Sequence, residues 1–207
     1  MSHRYVYGVV NADEAIEFEA DAVAGAETVY PIRHRRVAAL VSDIETTEPE
    51  RTDEDAKRHD DVLRDIMQMN GSRTVVPMQF GMVFENERAL KNVLRGGSRA
   101  FRRSIREIEG SVELGLKIVS DEADSVDRDE VRTTVANELE SVADDAVDNG
   151  LFSDRLILNR SYLVDHDDRG AFDEAIGRIE NDYPELKVQY TGPFAPYSFV
   201  DIRIGAQ

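Results

Sequence analysis

The stretch from Thr74 to Glu109 constrains the fold most, because a strand-like run leads directly into a long amphipathic helix pattern. Residues 74–84 are mostly β-branched, aromatic or apolar, which favours a strand, while Pro77 and Gly81 require an edge, bulge or bend within it. Apolar residues then recur at helical spacings of three, four and seven. They are Leu90, Leu94, Phe101, Ile105 and Ile108. We expect this helix to join two halves of the chain.

A neighbouring stripe of the same predicted helix is basic. Its members are Arg88, Lys91, Arg95, Arg99, Arg102 and Arg106. The whole chain has 42 acidic residues against 25 basic ones and a net charge of −17, so six basic residues in register are unusual. Two interpretations stay open: the stripe contacts an acidic partner or an acidic face of this chain, or it is an ordinary solvated helix face.

The first half of the chain has the pattern of a ferredoxin-like domain. Strand patterns cover residues 4–10, 27–32 and 36–42, and a weak helix pattern runs from Asn11 to Ala24. Thr52 is a suitable N-cap for a second helix, which we expect to end near Asn70-Gly71. With the strand at Val75, the order is β, weak α, β, β, α, β. The sequence therefore predicts an N-terminal ferredoxin-like domain with its connecting helix, residues 1–110.

The second half predicts another α+β domain, residues 111–207. Strand patterns cover residues 112–119, 156–164, 186–190 and 197–204. One helix pattern begins after Asp127 and continues through Val142 and Ala146 to Asn149-Gly150, and another covers residues 172–183. The predicted order is βαβαββ, and no sequence repeat links the two halves. The fold class is therefore α+β, with the two domains joined by the long helix.

Composition excludes several classes of protein. Without cysteine the chain has no disulfide and no thiolate metal site. No apolar run approaches the roughly 18 residues needed to cross a bilayer, so we predict a cytoplasmic protein with no membrane contact. The acidic, lysine-poor composition favours a salt-adapted host, in which high ionic strength screens carboxylate repulsion. The same charge disfavours nucleic-acid binding.

Searches for catalytic and cofactor motifs return nothing convincing. Gly96-Gly97-Ser98 resembles a phosphate loop, but it lies inside the long helix pattern and lacks a preceding strand. His59 could meet one carboxylate on its helix, which does not make a metal site, and we interpret that segment as a solvated face. We therefore predict that the chain is not an enzyme and has no cofactor or metal.

Four segments resemble the gas vesicle GvpF/GvpL family. Residues 76–84 (VPMQFGMVF) look like the "PxxFGxxF" segment of that family, and residues 112–117 (VELGLK) are similar to its "VELGVK"-type strand. Residues 190–200 (YTGPFAPYSFV) resemble its "TGPWPPYNFV" ending, with Phe194 and Ala195 in place of the usual Trp and Pro. The opening at residues 5–10 also matches. Length and ending resemble the GvpF branch of the family, and the composition suits a haloarchaeal member.

The resemblance implies an accessory protein of gas vesicle assembly with no catalytic or cofactor residues. The expected partners are the shell protein GvpA and other accessory Gvp proteins, bound in a chaperone-like way during nucleation or growth, and the expected location is the cytoplasm, associated with gas vesicles. A minor structural role in the shell is the alternative. From the helix pattern we predict these partner-binding residues: Phe80, Phe84, Arg95, Arg99, Arg102 and Arg106. The sequence does not fix the oligomeric state.

Overall fold

The computed structural model describes residues 2–69, 73–120 and 126–202, which form two compact units. The first unit contains the residues up to Glu109 and those from Val200 onward, and the second contains Gly110–Phe199. Strands and helices are mixed in both units, which confirms the predicted α+β class. The predicted domain limits, 1–110 and 111–207, stay a prediction.

The sheet of the first unit has the ferredoxin-like strand order. Its strands are β1 (His3–Asn11), β2 (Phe18–Glu19), β3 (Thr28–His34), β4 (Val37–Ile44), β5 (Val76–Pro77) and β6 (Val83–Phe84). They are arranged β2-β3-β4-β1-β5, all neighbouring pairs are antiparallel, and β6 also pairs with β1. The run at residues 74–84 therefore forms two short strands, and the chain turns between them at Gly81, whose φ is 87°.

The predicted helix from Asn11 to Ala24 is wrong. This segment contains a turn at residues 12–14, the short strand β2 and a 3-10 turn at Val23–Gly25, and no α-helix. The guanidinium of Arg33 donates hydrogen bonds to the carbonyl oxygens of Ala12, at 3.3 Å, and Ala15, at 2.6 Å. A side chain from β3 thus satisfies carbonyl groups that a helix would have paired internally.

Two helices complete the first unit. α1 (Asp53–Gln68) begins as predicted, with the Thr52 hydroxyl accepting a hydrogen bond from the Asp55 N–H at 3.0 Å. Its predicted stop at Asn70-Gly71 lies outside the described residues. α2 (Glu87–Glu107) is the predicted long helix, and it buries the predicted apolar stripe against β1, β3 and β4. Residues 37–42 of β4 are all buried, so both faces of the sheet are covered.

The second unit repeats this strand order with both helices present. Its elements are β7 (Ser111–Val119), α3 (Arg128–Glu140), β8 (Asp145–Asp148), β9 (Leu156–Asp165), α4 (Arg169–Asp182) and β10 (Lys187–Phe194). The antiparallel sheet has the order β10-β7-β9-β8. The topology is therefore βαββαβ rather than the predicted βαβαββ. The two units therefore share one strand order, although no sequence repeat links the two halves of the chain.

Two predictions for the second unit need correction. The helix expected to reach Asn149-Gly150 ends at Glu140. Val142, which continued its apolar spacing, follows the helix, and Ala146 lies in β8, opposite Tyr162 of β9. The last predicted strand is also wrong where it can be checked. Tyr197–Phe199 is a 3-10 turn and residues 200–202 are not in a strand, while residues 203 and 204 lie outside the described part.

Candidate interaction surfaces

The basic stripe lies on the exposed side of α2. The Asn86 side chain caps this helix by accepting a hydrogen bond from the Ala89 N–H at 3.0 Å. The helix continues through Gly96-Gly97, which agrees with its interpretation as helical rather than as a phosphate loop. Four arginines along its outer side are all exposed, and we call them the basic face of α2. They are Arg95, Arg99, Arg102 and Arg106.

Most of the basic face of α2 has no internal counter-charge. Among the residues that the structure describes, Arg99, Arg102 and Arg106 make no ion pair, and Arg95 donates only to the neutral side chain of Asn92, at 3.0 Å. Several arginines elsewhere are closely paired. Arg58, for example, contacts three carboxylates at 2.8 to 3.2 Å. In a chain with a net charge of −17, this face therefore stands out as available to an acidic partner.

The two predicted aromatic contact residues are both half-buried. The ring of Phe80 packs edge-on against those of Tyr5 and His59, with centroids 5.8 and 5.9 Å apart, and the Arg51 guanidinium lies 5.7 Å from its centroid. Phe84 lies in β6, opposite Arg4 of β1. Each side chain thus has packing partners within the first unit, and only its exposed part is available to another protein.

A buried polar network holds the turn around Phe80. His59, interpreted from the sequence as part of a solvated face, is only 2% exposed, so that interpretation is wrong. Its Nε2 lies 3.0 Å from the Met78 carbonyl oxygen, which can only accept, so Nε2 carries the proton and Nδ1 accepts from the Tyr5 hydroxyl at 2.7 Å. The Tyr5 hydroxyl in turn accepts from the Gly81 N–H at 3.3 Å. Burial lowers the pKa of His59 and raises that of Tyr5.

A second buried polar contact joins residues 112–117 to residues 190–200, the two segments of the second half that resemble the family. Glu113 of β7 is 8% exposed, and its carboxylate accepts hydrogen bonds from the Ser198 N–H at 2.8 Å and from the Ser198 hydroxyl at 2.6 Å. Gly192 lies next to this strand with a φ of 122°, and a Cβ there would approach the Glu113 carbonyl oxygen to 2.9 Å. These motif residues therefore stabilise the fold.

The second unit also has an exposed apolar patch, which was not predicted from the sequence. Phe152 is 74% exposed and Leu151 is 49% exposed, in the loop between β8 and β9. They line an open concavity of about 770 Å³ together with Arg128 and Arg132 of α3, and the Lys117 ammonium lies 5.4 Å from the Phe152 ring centroid. We call these five residues the loop patch. A single aromatic residue in a loop has no periodicity that could have indicated it.

The described residues offer little for other kinds of site. Within residues 2–69, 73–120 and 126–202, no group of three or more His, Asp or Glu side chains is arranged to hold a metal ion. No helix of this part is both long and apolar enough to cross a bilayer.

Comparison with known proteins gives one consistent family. A family model described as "Gas vesicle synthesis protein GvpL/GvpF" matches residues 3–130 and 121–201. Gas vesicle protein F of Haloferax mediterranei is 52% identical over 203 residues, covering 98% of this chain and 95% of the relative. Gas vesicle protein F1 of Halobacterium salinarum is 49% identical with the same coverage.

Solved structures agree on the fold. The crystal structure of GvpF from Anabaena superposes with a TM-score of 0.84 at 18% identity, covering 98% of this chain and all of the other. That of GvpF from Microcystis aeruginosa gives a TM-score of 0.85 at 15% identity, covering 97% of this chain and 99% of the other. At these identities the likeness establishes the architecture only.

Proposed function

The chain belongs to the gas vesicle synthesis protein GvpL/GvpF family, and we propose that it is an accessory protein of gas vesicle assembly. It acts by binding other gas vesicle proteins in the cytoplasm and at the vesicle, without catalysing a reaction. The shell protein GvpA is the first partner in this proposal, and other accessory Gvp proteins are further ones. The family match over nearly the whole chain supports the gas vesicle role.

The observation that carries the binding proposal is the unpaired charge on the basic face of α2. Arg99 and Arg102 have guanidinium groups that no carboxylate of the described residues neutralises, although acidic residues outnumber basic ones by 42 to 25. A guanidinium can bind a carboxylate through two parallel hydrogen bonds, which gives orientation as well as attraction. We propose that an acidic stretch of the partner lies along this face, and that Phe84 and the exposed part of Phe80 add apolar contact.

Such binding suits a chaperone-like role. A shell protein with exposed apolar surface aggregates unless that surface is covered until it is added to the shell. A reversible complex with the basic face of α2 would cover it in part and release it at the growing edge. Because the contact is made by exposed parts of side chains on α2, β6 and the turn before β6, it needs no rearrangement of the sheet.

Charge reversal tests this proposal. We expect Arg99→Glu with Arg102→Glu to abolish co-purification of GvpA in molar KCl, because carboxylates of the partner would then meet like charges. Lys57→Glu with Arg64→Glu, at exposed positions of α1, is the control for net charge, since it makes the same change in charge. Both side chains pair with Asp61, so circular dichroism checks that this variant is folded. Retention of GvpA by the α2 variant at the control's level would refute the proposed surface.

A minor structural role in the shell is the second candidate function, and it follows from the same family. The amount of this protein that remains on intact vesicles after washing in high salt distinguishes the two roles. An assembly factor is depleted from them, whereas a shell component stays in fixed proportion to GvpA. A constant ratio of this protein to GvpA after repeated washing would contradict the purely accessory role.

A further inference from the structure

The large apolar side chains that the described residues expose all lie in the second unit. They are Leu151, Phe152 and Phe194, at 49%, 74% and 36% exposure. Two of them are adjacent in the loop between β8 and β9, where both line the same concavity. Leaving an aromatic ring in water forgoes favourable burial, and neighbouring exposed apolar residues often mark a site of protein contact.

The arginines beside these residues are held in place by the backbone. Arg128 Nη2 donates to the Leu156 carbonyl oxygen at 2.9 Å, and Arg132 Nε donates to the Ile157 carbonyl oxygen at 3.1 Å. Arg132 also makes a long contact of 3.4 Å with Asp129. Each guanidinium has five N–H groups, so most remain free to bind a ligand. Fixing these side chains in advance reduces the entropy lost on binding.

We propose that the loop patch binds an acidic segment of a second gas vesicle protein, one that carries an apolar side chain next to carboxylates. This inference rests on the proposed function in assuming that the chain binds other gas vesicle proteins. Charge complementarity identifies the partner's chemistry. The concavity is lined by Arg128 and Arg132 and by one carboxylate, that of Asp154, and Lys117 lies over the Phe152 ring. Among the side chains that line the concavity, basic groups therefore outnumber acidic ones, whereas acidic residues predominate in the whole chain.

The patch is also suited to concentrated salt. At about 1 M ionic strength the Debye length is roughly 3 Å, so only charges in direct contact still attract each other. Burial of Phe152 and Leu151 does not depend on long-range charge, and the fixed guanidinium groups form hydrogen bonds at contact distance. The chain would then have two binding surfaces, one on α2 and one in the second unit, for different segments.

A peptide array tests the loop patch. The probes are overlapping peptides that cover the other gas vesicle proteins of the same organism, and the labelled full chain is applied in molar KCl. We expect the bound peptides to carry carboxylates beside an apolar residue. The tightest peptide is then titrated by fluorescence anisotropy against the wild-type chain, Phe152→Ser, and Arg128→Gln with Arg132→Gln. Each variant should bind at least tenfold more weakly.

Two controls make the result specific. Arg178→Gln removes an exposed arginine that pairs with Glu138 outside the patch, and it should leave peptide binding unchanged. The α2 variant, Arg99→Glu with Arg102→Glu, should also keep it, so failure of the α2 proposal is distinguishable from failure of this one. Circular dichroism checks that each variant is folded.

Several outcomes would overturn the inference. It fails if no peptide binds, if the bound peptides are basic, or if the patch variants bind as tightly as the wild type. It also fails if the wild-type chain is a dimer that Phe152→Ser dissociates, since the patch would then be covered by a second copy of this chain.

Discussion

Replacing His59 with leucine tests whether the buried polar network stabilises the first unit. Leucine removes the acceptor of the Tyr5 hydroxyl and the donor to the Met78 carbonyl oxygen, bonds of 2.7 and 3.0 Å. A buried polar group that loses its partner costs about 1–3 kcal/mol, and burial of the leucine offsets part of the sum. We expect the free energy of unfolding to fall by about 2–5 kcal/mol, a large share of the roughly 5–15 kcal/mol of a typical protein.

Urea denaturation at constant molar KCl, followed by circular dichroism, measures this loss. His166→Leu is the matched control, because His166 is exposed and its replacement should change stability by less than about 0.5 kcal/mol. Tyr5→Phe and the double variant complete a cycle, in which we expect a coupling of about 1 kcal/mol or more between Tyr5 and His59. Equal stabilities of His59→Leu and the wild type, or additive effects in the cycle, would refute the network's role.

The same variant has a pH signature. Burial holds the pKa of His59 below its ordinary value of about 6.5, so the unfolded chain binds this proton more readily than the folded one. The stabilisation is complete above about pH 6.5 and is lost as the pH falls from there toward the folded pKa. The advantage of the wild type over His59→Leu should therefore shrink on acidification below about pH 6.5. A constant difference across this range would show that His59 does not titrate in this way.

Two further predictions concern glycine and salt. Gly192→Ala should destabilise by more than about 1 kcal/mol, because φ is 122° and the new Cβ would lie 2.9 Å from the Glu113 carbonyl oxygen. Gly96→Ala, where nothing lies within 4 Å of the new Cβ, should instead stabilise α2 by about 0.5–1 kcal/mol, and thermal melts that rank the two variants equally would contradict this account. The net charge of −17 predicts a higher melting temperature in molar KCl than in dilute buffer, and an unchanged melting temperature would show that repulsion is not limiting.

Local signals predicted the helices well where tertiary pairing did not compete with them. Thr52 caps α1 as expected, and the apolar stripe of α2 is buried along its length. The helix predicted to continue through Ala146 failed because its apolar spacing also suits an edge strand. Pairing of Ala146 with Tyr162 of β9 decided the outcome, and that partner lies 16 positions further along the chain. No local window contains this information.

The two candidate surfaces also differ in how far the sequence alone could predict them. The register of Arg95, Arg99, Arg102 and Arg106 on one side of a helix follows from helical periodicity, so the basic face of α2 could be predicted from sequence. The sequence could not predict whether these arginines pair with carboxylates elsewhere in the chain. The loop patch joins Lys117 on β7, two arginines on α3 and two residues after β8, and only the folded sheet brings these segments together.

Apart from Phe80 and Phe84, the residues of the segments that identify the family are not the ones to choose when looking for the binding surface. Tyr5 and Gly81 are joined through a hydrogen bond that holds the turn after β5, and Glu113 holds Ser198 in the closing turn. A substitution at any of these positions would lower the stability of the fold, and a pull-down cannot distinguish weaker binding caused by partial unfolding from loss of an interface. Variants of the basic face of α2 and of the loop patch change exposed groups on intact elements. Loss of binding in a variant whose melting temperature is unchanged therefore locates a contact. The same loss in a variant of these buried hydrogen-bonded residues does not, because their substitution also lowers stability.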